Sequence, residues 1–450
     1  MTDPHSGGAV VPPSTIGMLG GGQLGRYALM AARQMGYRTI VLDPDPDAPA
    51  GAIADVHLVA PYDDANALDH LASRCDVVTV EFENPSAVSL ERLAEHTAVA
   101  PSANALAVAQ DRRLEKRFLC EQGIPVGPFA VIGAASDLPS ADGAVPFPAI
   151  LKTTAGGYDG KGQLTVCSPG ELADAWAELG QVSCVLEQHL DLEREISVLL
   201  ARSGSGDVVA YPVTENIHVG GILDVSVVPA RVSDRVVVHA VAFATRVAEA
   251  LEYVGVLAVE LFVVEGEVLV NELAPRPHNS GHWTLDAAAT DQFAQQIRAV
   301  CGLPLGSTLM TAPAAAMANL LGDRWSNGEP DWAAALVDPD VRLHLYGKSR
   351  ASPGRKMGHL TATGPDVTTA LHVVQRARTA SETNARAPGA QRARPALRHV
   401  DADDATDGVG HGTRPHHDQH LAHDEPGEVA FGPAPDRRSD DASRHSADDE

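Results

Sequence analysis

Val259-Glu260-Leu261-Phe262-Val263-Val264-Glu265-Gly266-Glu267-Val268-Leu269-Val270-Asn271-Glu272 is the stretch on which the reading of the fold turns. β-Branched and large apolar residues flank a glycine on both sides, the pattern of two strands joined by a tight turn. Pairing that is symmetric about Gly266 sets Glu260 opposite Glu272. Directly opposed side chains in an antiparallel pair have Cβ atoms roughly 4.5 to 5.5 Å apart, and two carboxylates at that spacing repel unless a cation or a proton intervenes. A bound Mg²⁺ removes the conflict, because it takes few carboxylates and fills its remaining positions with water and phosphate oxygens. The competing readings are a solvated acidic pair at a sheet edge and a register shifted by one residue. Apolar neighbours on both strands weigh against the first.

Just beyond the hairpin runs Leu273-Ala274-Pro275-Arg276-Pro277-His278-Asn279-Ser280-Gly281-His282-Trp283-Thr284, which is polar, rigid and charged together. His278 and His282 have i, i+4 spacing, but Gly281 and the two prolines argue against a helix that would aim both at zinc. Hydrogen bonding to a substrate suits them better. Upstream, Lys152-Thr153-Thr154-Ala155-Gly156-Gly157-Tyr158-Asp159-Gly160-Lys161-Gly162-Gln163 joins two strands. A Walker loop would lead into a helix instead. Bare backbone N–H groups and two lysines suit a lid over nucleotide phosphates; a plain hairpin would have no use for Tyr158, Asp159 and Lys161 among the glycines. Pro353-Gly354-Arg355-Lys356-Met357-Gly358-His359 places adjacent cations on a turn before a strand, which fits a phosphate dianion or an ordinary surface turn.

At the other end, Ile16 to Leu19 leads into Gly20-Gly21-Gly22-Gln23-Leu24-Gly25-Arg26 and then a helix, with Asp43 ending the next strand. Strand, glycine turn, helix and acid match a dinucleotide fingerprint. The same turn could face any phosphate, or be purely structural. Further strands, including Val77 to Phe82, alternate with helices and indicate an open parallel sheet. One helix is expected from about Ala105 to Gln122. From Pro148 the texture becomes antiparallel strand pairs. Domains are expected at 14–104 (Rossmann-like), 105–310 and 311–377 (a small β-rich C-terminal unit).

Composition sets the bounds. The chain has 450 residues, 44% hydrophobic and 4% aromatic, as ordinary globular domains do. Its net charge of −25, from 59 acidic against 34 basic side chains, repels nucleic acid. No run approaches the roughly 18 apolar residues of a membrane helix, and Met1 to Pro13 lacks a basic flank and an apolar core, so neither membrane insertion nor export is expected. Five scattered cysteines without a C-x-x-C pair fit a reducing, cytoplasmic setting. Residues 378–450 have few large apolar side chains and read as a disordered tail or an out-of-frame extension; their histidines lack a fold to hold metal.

The glycine turn, Glu81-Phe82-Glu83-Asn84, the Gly156–Gln163 loop, Asn271–Trp283 and Pro353–Lys356, in that order, resemble the N5-carboxyaminoimidazole ribonucleotide synthase family of ATP-grasp enzymes. The resemblance covers about 14–377 and implies an ATP-grasp fold with a Rossmann-like domain before it. It also implies ATP- and bicarbonate-dependent carboxylation of 5-aminoimidazole ribonucleotide, through carboxyphosphate, in purine biosynthesis. By resemblance, ATP is bound by Arg112, Lys152, Gly157, Tyr158, Asp159, Gly160, Lys161, Gly162, Gln163, Glu187, Gln188, His189, Leu190, Glu195, His218, Asn271 and Glu272. Glu260 and Glu272 hold two Mg²⁺ ions, for which Mn²⁺ substitutes. The ribonucleotide falls to Gln23, Leu24, Glu81, Tyr158, Asp159, Arg276, His278, Asn279, Arg355 and Lys356, with Asp159, Lys161, Arg276 and His278 nearest the chemistry. A homodimer and a transient handover of product to a mutase are the implied partners. A formate-using relative and an NAD-dependent oxidoreductase built on Gly20 are the alternatives.

Overall fold

The structure, a computed structural model, describes residues 8–156 and 162–382. Gly157, Tyr158, Asp159, Gly160 and Lys161, and the tail from 383 onward, lie outside the described residues. Among those described, the strands gather into three sheets.

The N-terminal sheet is parallel, in the order Val56–Leu58, Arg38–Leu42, Thr15–Leu19, Val77–Val80, Ala98–Val99. Its central strands are buried on both faces, as a parallel sheet covered by helices requires. The helix Gln23–Gln34 packs over it and also meets the helix Gln292–Val300 through Tyr27 and Phe293, whose rings lie 5.1 Å apart.

The single helix expected at 105–122 is two, Ala103–Gln110 and Arg112–Glu121. Asp111 breaks them: its backbone is extended and its side chain accepts from Arg113 N at 2.8 Å, capping the second helix. The break aims Arg112 and Lys116, one helical turn apart, toward the hairpin.

A four-stranded antiparallel sheet runs Phe129–Ile132, Cys184–Gln188, Ala149–Thr153, Gln163–Val166. Lys152 pairs with Gln163 on one side and Val185 on the other, so Glu187, opposite Ile150, is its diagonal neighbour. The largest sheet has nine strands. Its main path is Glu267–Ala274, Gly255–Val264, Arg194–Arg202, Thr214–Val219, Ile222–Val228, Ala314–Leu321, Lys356–Gly364, Val341–Leu345, and Val208–Ala210 pairs with Arg194–Arg202 off this path. Strands from beyond residue 310 therefore continue the same sheet rather than standing apart from it.

The last helix, Val367–Ala380, runs past the expected start of the tail at 378. Apolar content understates its end, because Arg378 is held by Asp224, with Nη2 donating to Oδ2 at 3.0 Å, and Asp331 N donates to Ser381 O at 3.0 Å. No helix among the described residues is long and apolar enough to cross a membrane.

Candidate active site

The hairpin tip is a two-residue turn. Glu265 and Gly266 both have positive φ, 51° and 73°, as a turn matching the twist of its strands requires. Val264 pairs with Glu267, and the register runs back to Leu261 opposite Val270. Continued unchanged, it would set Glu260 against Asn271. A one-residue bulge intervenes, and Glu260 pairs with Glu272. Two residues, Asn271 and Glu272, thus oppose the one carboxylate. The expected acidic pair is present, reached through a shifted turn and a bulge that cancel. Asn271 Oδ1 is buried and has no hydrogen-bond partner. Two carboxylates and an orphaned amide oxygen are a hard-oxygen donor set, which fits Mg²⁺.

Cations crowd one side of this group. Arg112 Nη1 donates to Glu272 Oε2 at 3.0 Å. Lys152 Nζ lies 2.6 Å from Glu187 Oε2, and Lys116 Nζ lies 3.3 Å from Glu187 Oε1 while donating to Asn271 O at 3.0 Å. Burial would raise the Glu187 pKa; Lys116 and Lys152 outweigh it and hold the carboxyl at about 2. Beside them, burial pushes Glu115 up to about 8, against the pull of Lys116, and its carboxyl accepts from Leu273 N at 2.5 Å. Sequence reasoning missed Glu115 and Lys116. The signal was there for Lys116, which shares a helix face with Arg112.

On the other side, His278 Nε2 lies 3.0 Å from Glu260 Oε1, and His218 Nδ1 lies 2.9 Å from Glu195 Oε2 but off the line that a good hydrogen bond needs. Burial would raise the Glu260 pKa; His278, His218 and Lys356 together hold it at about 2. Burial would lower His218, and Glu195 and Glu260 reverse the direction. Lys356 therefore faces this group, while Arg355 turns away, donating from Nη1 to Arg350 O at 2.8 Å.

Arg276 clamps Glu83, which was quoted only as part of a motif, through Nε at 2.5 Å and Nη2 at 3.2 Å, tying the segment after the hairpin to the end of Val77–Val80. Asn279 spends its amide on Asn319 in a reciprocal pair at 3.1 and 2.6 Å. Gln23 Oε1 accepts from Lys348 Nζ at 2.7 Å, a lysine absent from the sequence expectations; Leu24 packs on the core beside it. Gln188 and His189 donate their backbone N–H groups to Pro128 O and Pro148 O, Leu190 lies against Gly127, Gly162 O accepts from Thr153 N, and Gln163 opens its strand.

The glycine turn is already occupied. Glu81 accepts from Gly22 N at 2.5 Å and from Gly25 N at 2.6 Å, and Asp43 Oδ2 accepts from Gly21 N at 2.6 Å and from Tyr62 OH at 2.7 Å. The N–H groups a pyrophosphate would need are held by the protein's own carboxylates, as is the acid that would read a ribose. The dinucleotide reading loses its donors here, and Glu81 has both oxygens committed to backbone.

Asp286, His344 and His359 offer three ligand atoms within 4.8 Å of one another. The rings of His344 and His359 stack 4.5 Å apart at 13°, so their in-plane lone pairs lie in nearly parallel planes that do not meet at one ion. They read as packing beneath Tyr27 and Tyr346.

Comparison with known proteins agrees with this layout. The ATP-grasp domain family model matches residues 117–293, the ribonucleotide synthetase preATP-grasp domain 14–110, and the phosphoribosylaminoimidazole carboxylase C-terminal domain 315–373. The chain is 43% identical over 353 residues to the N5-carboxyaminoimidazole ribonucleotide synthase of Bacillus subtilis, covering 78% of this chain and 92% of that one. The Staphylococcus aureus synthetase structure complexed with ADP superposes with a TM-score of 0.77 at 35% identity, covering 82% of this chain and 98% of that one. The Aspergillus clavatus synthase in complex with ADP and 5-aminoimidazole ribonucleotide gives 0.74 at 29% identity, over 82% and 98%.

Proposed function

We propose, for a chain that belongs to the N5-carboxyaminoimidazole ribonucleotide synthase family of carboxylating ATP-grasp ligases, that it carboxylates 5-aminoimidazole ribonucleotide with ATP and bicarbonate. The γ-phosphoryl of ATP passes to a bicarbonate oxygen, giving ADP and carboxyphosphate. The substrate's 5-amino nitrogen then bonds to the carboxyl carbon as the carbon–oxygen bond to phosphate breaks. Phosphate leaves and is basic enough to take the amine proton.

The observation that carries this reading is the bulged pair, in which Glu260 faces Asn271 and Glu272 with a buried, unpartnered amide oxygen between acids. Glu260, Asn271 and Glu272 would hold Mg²⁺, which when bound neutralises charge on the transferring phosphoryl group. Arg112 and Lys152 set positive charge beside the same group, and Glu187 to Leu190 offer backbone and carboxylate to the adenine edge. Lys356, His278 and Arg276 border it on the ribonucleotide side, where Arg355 and Asn279 contribute less directly because their side chains are bound elsewhere. Carboxyphosphate hydrolyses readily, so water must be kept out, and the Gly156–Gln163 loop, with Tyr158, Asp159 and Lys161, is the cover we assign. Homodimerisation and handover of the product to a mutase belong to the same reading. Its test is ADP and phosphate release with 5-aminoimidazole ribonucleotide in the presence and absence of bicarbonate. Equal release with formate and glycinamide ribonucleotide would overturn it.

A further inference from the structure

Behind His278 lies a row of small buried polar side chains that the carboxylation chemistry does not use. His278 Nδ1 is 2.9 Å from Ser280 Oγ, and Ser280 Oγ is 2.8 Å from Ser197 Oγ. Asn216 Nδ2 donates to Ser197 Oγ at 3.0 Å, and Ser226 Oγ donates to Asn216 Oδ1 at 2.9 Å. Ser197, Asn216, Ser226 and Ser280 are all at most 5% exposed. Strand pairing explains the row: Ser197 lies opposite Glu260, and Asn216 opposite Ser226.

The direction of every bond in the row follows from its end. An ionised Glu260 offers only acceptors, so the His278 Nε2 facing it carries the proton. The neutral ring then presents a lone pair at Nδ1, and Ser280 must donate to it. Ser280 in turn accepts from Ser197, Ser197 from Asn216, and Asn216 from Ser226, so each hydrogen has one place to go. Reversing the row would set a lone pair of His278 against a carboxylate. The buried serines have no water to turn to, which makes the ordered arrangement stiff.

We propose that Ser280 and Ser197, backed by Asn216 and Ser226, are positioning residues that hold His278 as the neutral Nε2–H tautomer with its ring aimed at Glu260. Ligating and catalytic histidines elsewhere are oriented in this way by the partner of their second nitrogen. The inference rests on the carboxylation reading for its effect on rate, but its structural content is independent of it.

The test is long-range ¹H–¹⁵N NMR of the full chain labelled at histidine, recorded above the ordinary histidine pKa, with H278Q assigning the resonance. The wild type is expected to show His278 as Nε2–H alone, and S280A and S197A to show both tautomers. With the same variants, kcat for bicarbonate-dependent ADP release falls about tenfold while KM for ATP is unchanged. An Nδ1–H or doubly protonated ring in the wild type, an S280A spectrum that does not change, or a tautomer shift without loss of kcat would each overturn the proposal. Should S280A not fold, S197A, one hydrogen bond further away, carries the same test. If wild-type ADP release proves independent of bicarbonate, the carboxylation reading fails, and the spectrum still decides the tautomer.

Discussion

The glycine turn at residues 20–25 and the hairpin at 259–272 both carry patterns that suggest ligand binding, yet one is closed and the other open. In the turn, Gly21, Gly22 and Gly25 give their N–H groups to Asp43 and Glu81. In the hairpin, Asn271 Oδ1 has no partner, and two carboxylates face each other across a bulge. A motif tells which groups are present. Whether they are free to bind depends on side chains that arrive from elsewhere in the chain.

The comparison is most exposed to E272Q. If the hairpin is the open site, ADP release falls about a thousandfold or more and added Mg²⁺ does not restore it; steady-state kinetics across a Mg²⁺ series would show this, and a change under tenfold would move the site elsewhere. E187Q probes the cationic side of the same region. Removing one partner of a buried ion cluster costs about 3 to 5 kcal/mol, since Lys116 and Lys152 lose their counter-charge. The folded-state pKa of Glu187 is depressed to about 2, so its stabilisation is complete above the ordinary carboxylate value and fades as pH falls from about 4.5 toward 2. The Tm gap between wild type and E187Q should therefore be full at neutral pH and narrow on acidification; a gap that widens in acid would show the pairing to be misassigned.

E81Q acts on the closed region. It sets an amide donor against a backbone donor and should cost about 1 to 3 kcal/mol by denaturant unfolding, with a smaller loss of kcat than E272Q. Equal losses of kcat would erase the distinction between the two regions. The smallest effect is expected from a chain ending at Glu382, which removes sequence belonging to neither region. Its kcat should stay within about twofold and its stability within about 0.5 kcal/mol of the full chain, by parallel assay and thermal melt. The cut belongs after Glu382 rather than near 380, because Ser381 accepts from Asp331 N and Glu382 pairs with Arg324.

Much of the fold was legible because it depends on local pattern. Apolar runs ending in glycine mark the parallel strands, and Gly266 marks the hairpin. The acidic pair was legible for a partly accidental reason: taking Gly266 as the centre ignores both the Glu265-Gly266 turn and the extra residue at Asn271, and the two errors cancel at Glu260. What stayed hidden depends on distant partners. Glu115 and Lys116 look like one exposed helical pair in sequence, yet both are buried against the strand Glu267–Ala274 and its neighbours. Lys348 and the serines behind His278 carry no spacing signal, since their partners come from other strands. The break at Asp111 is a capping event that helical periodicity does not register.

The self-capped turn also has a use outside this molecule. Sequence scans that flag nucleotide cofactors by three spaced glycines and a later acid will collect chains such as this one as false positives. A second acid just past the next core strand, where Glu81 stands, is a cheap filter: when it reaches back to the glycines, the vacancy for a diphosphate is already filled by the polypeptide itself.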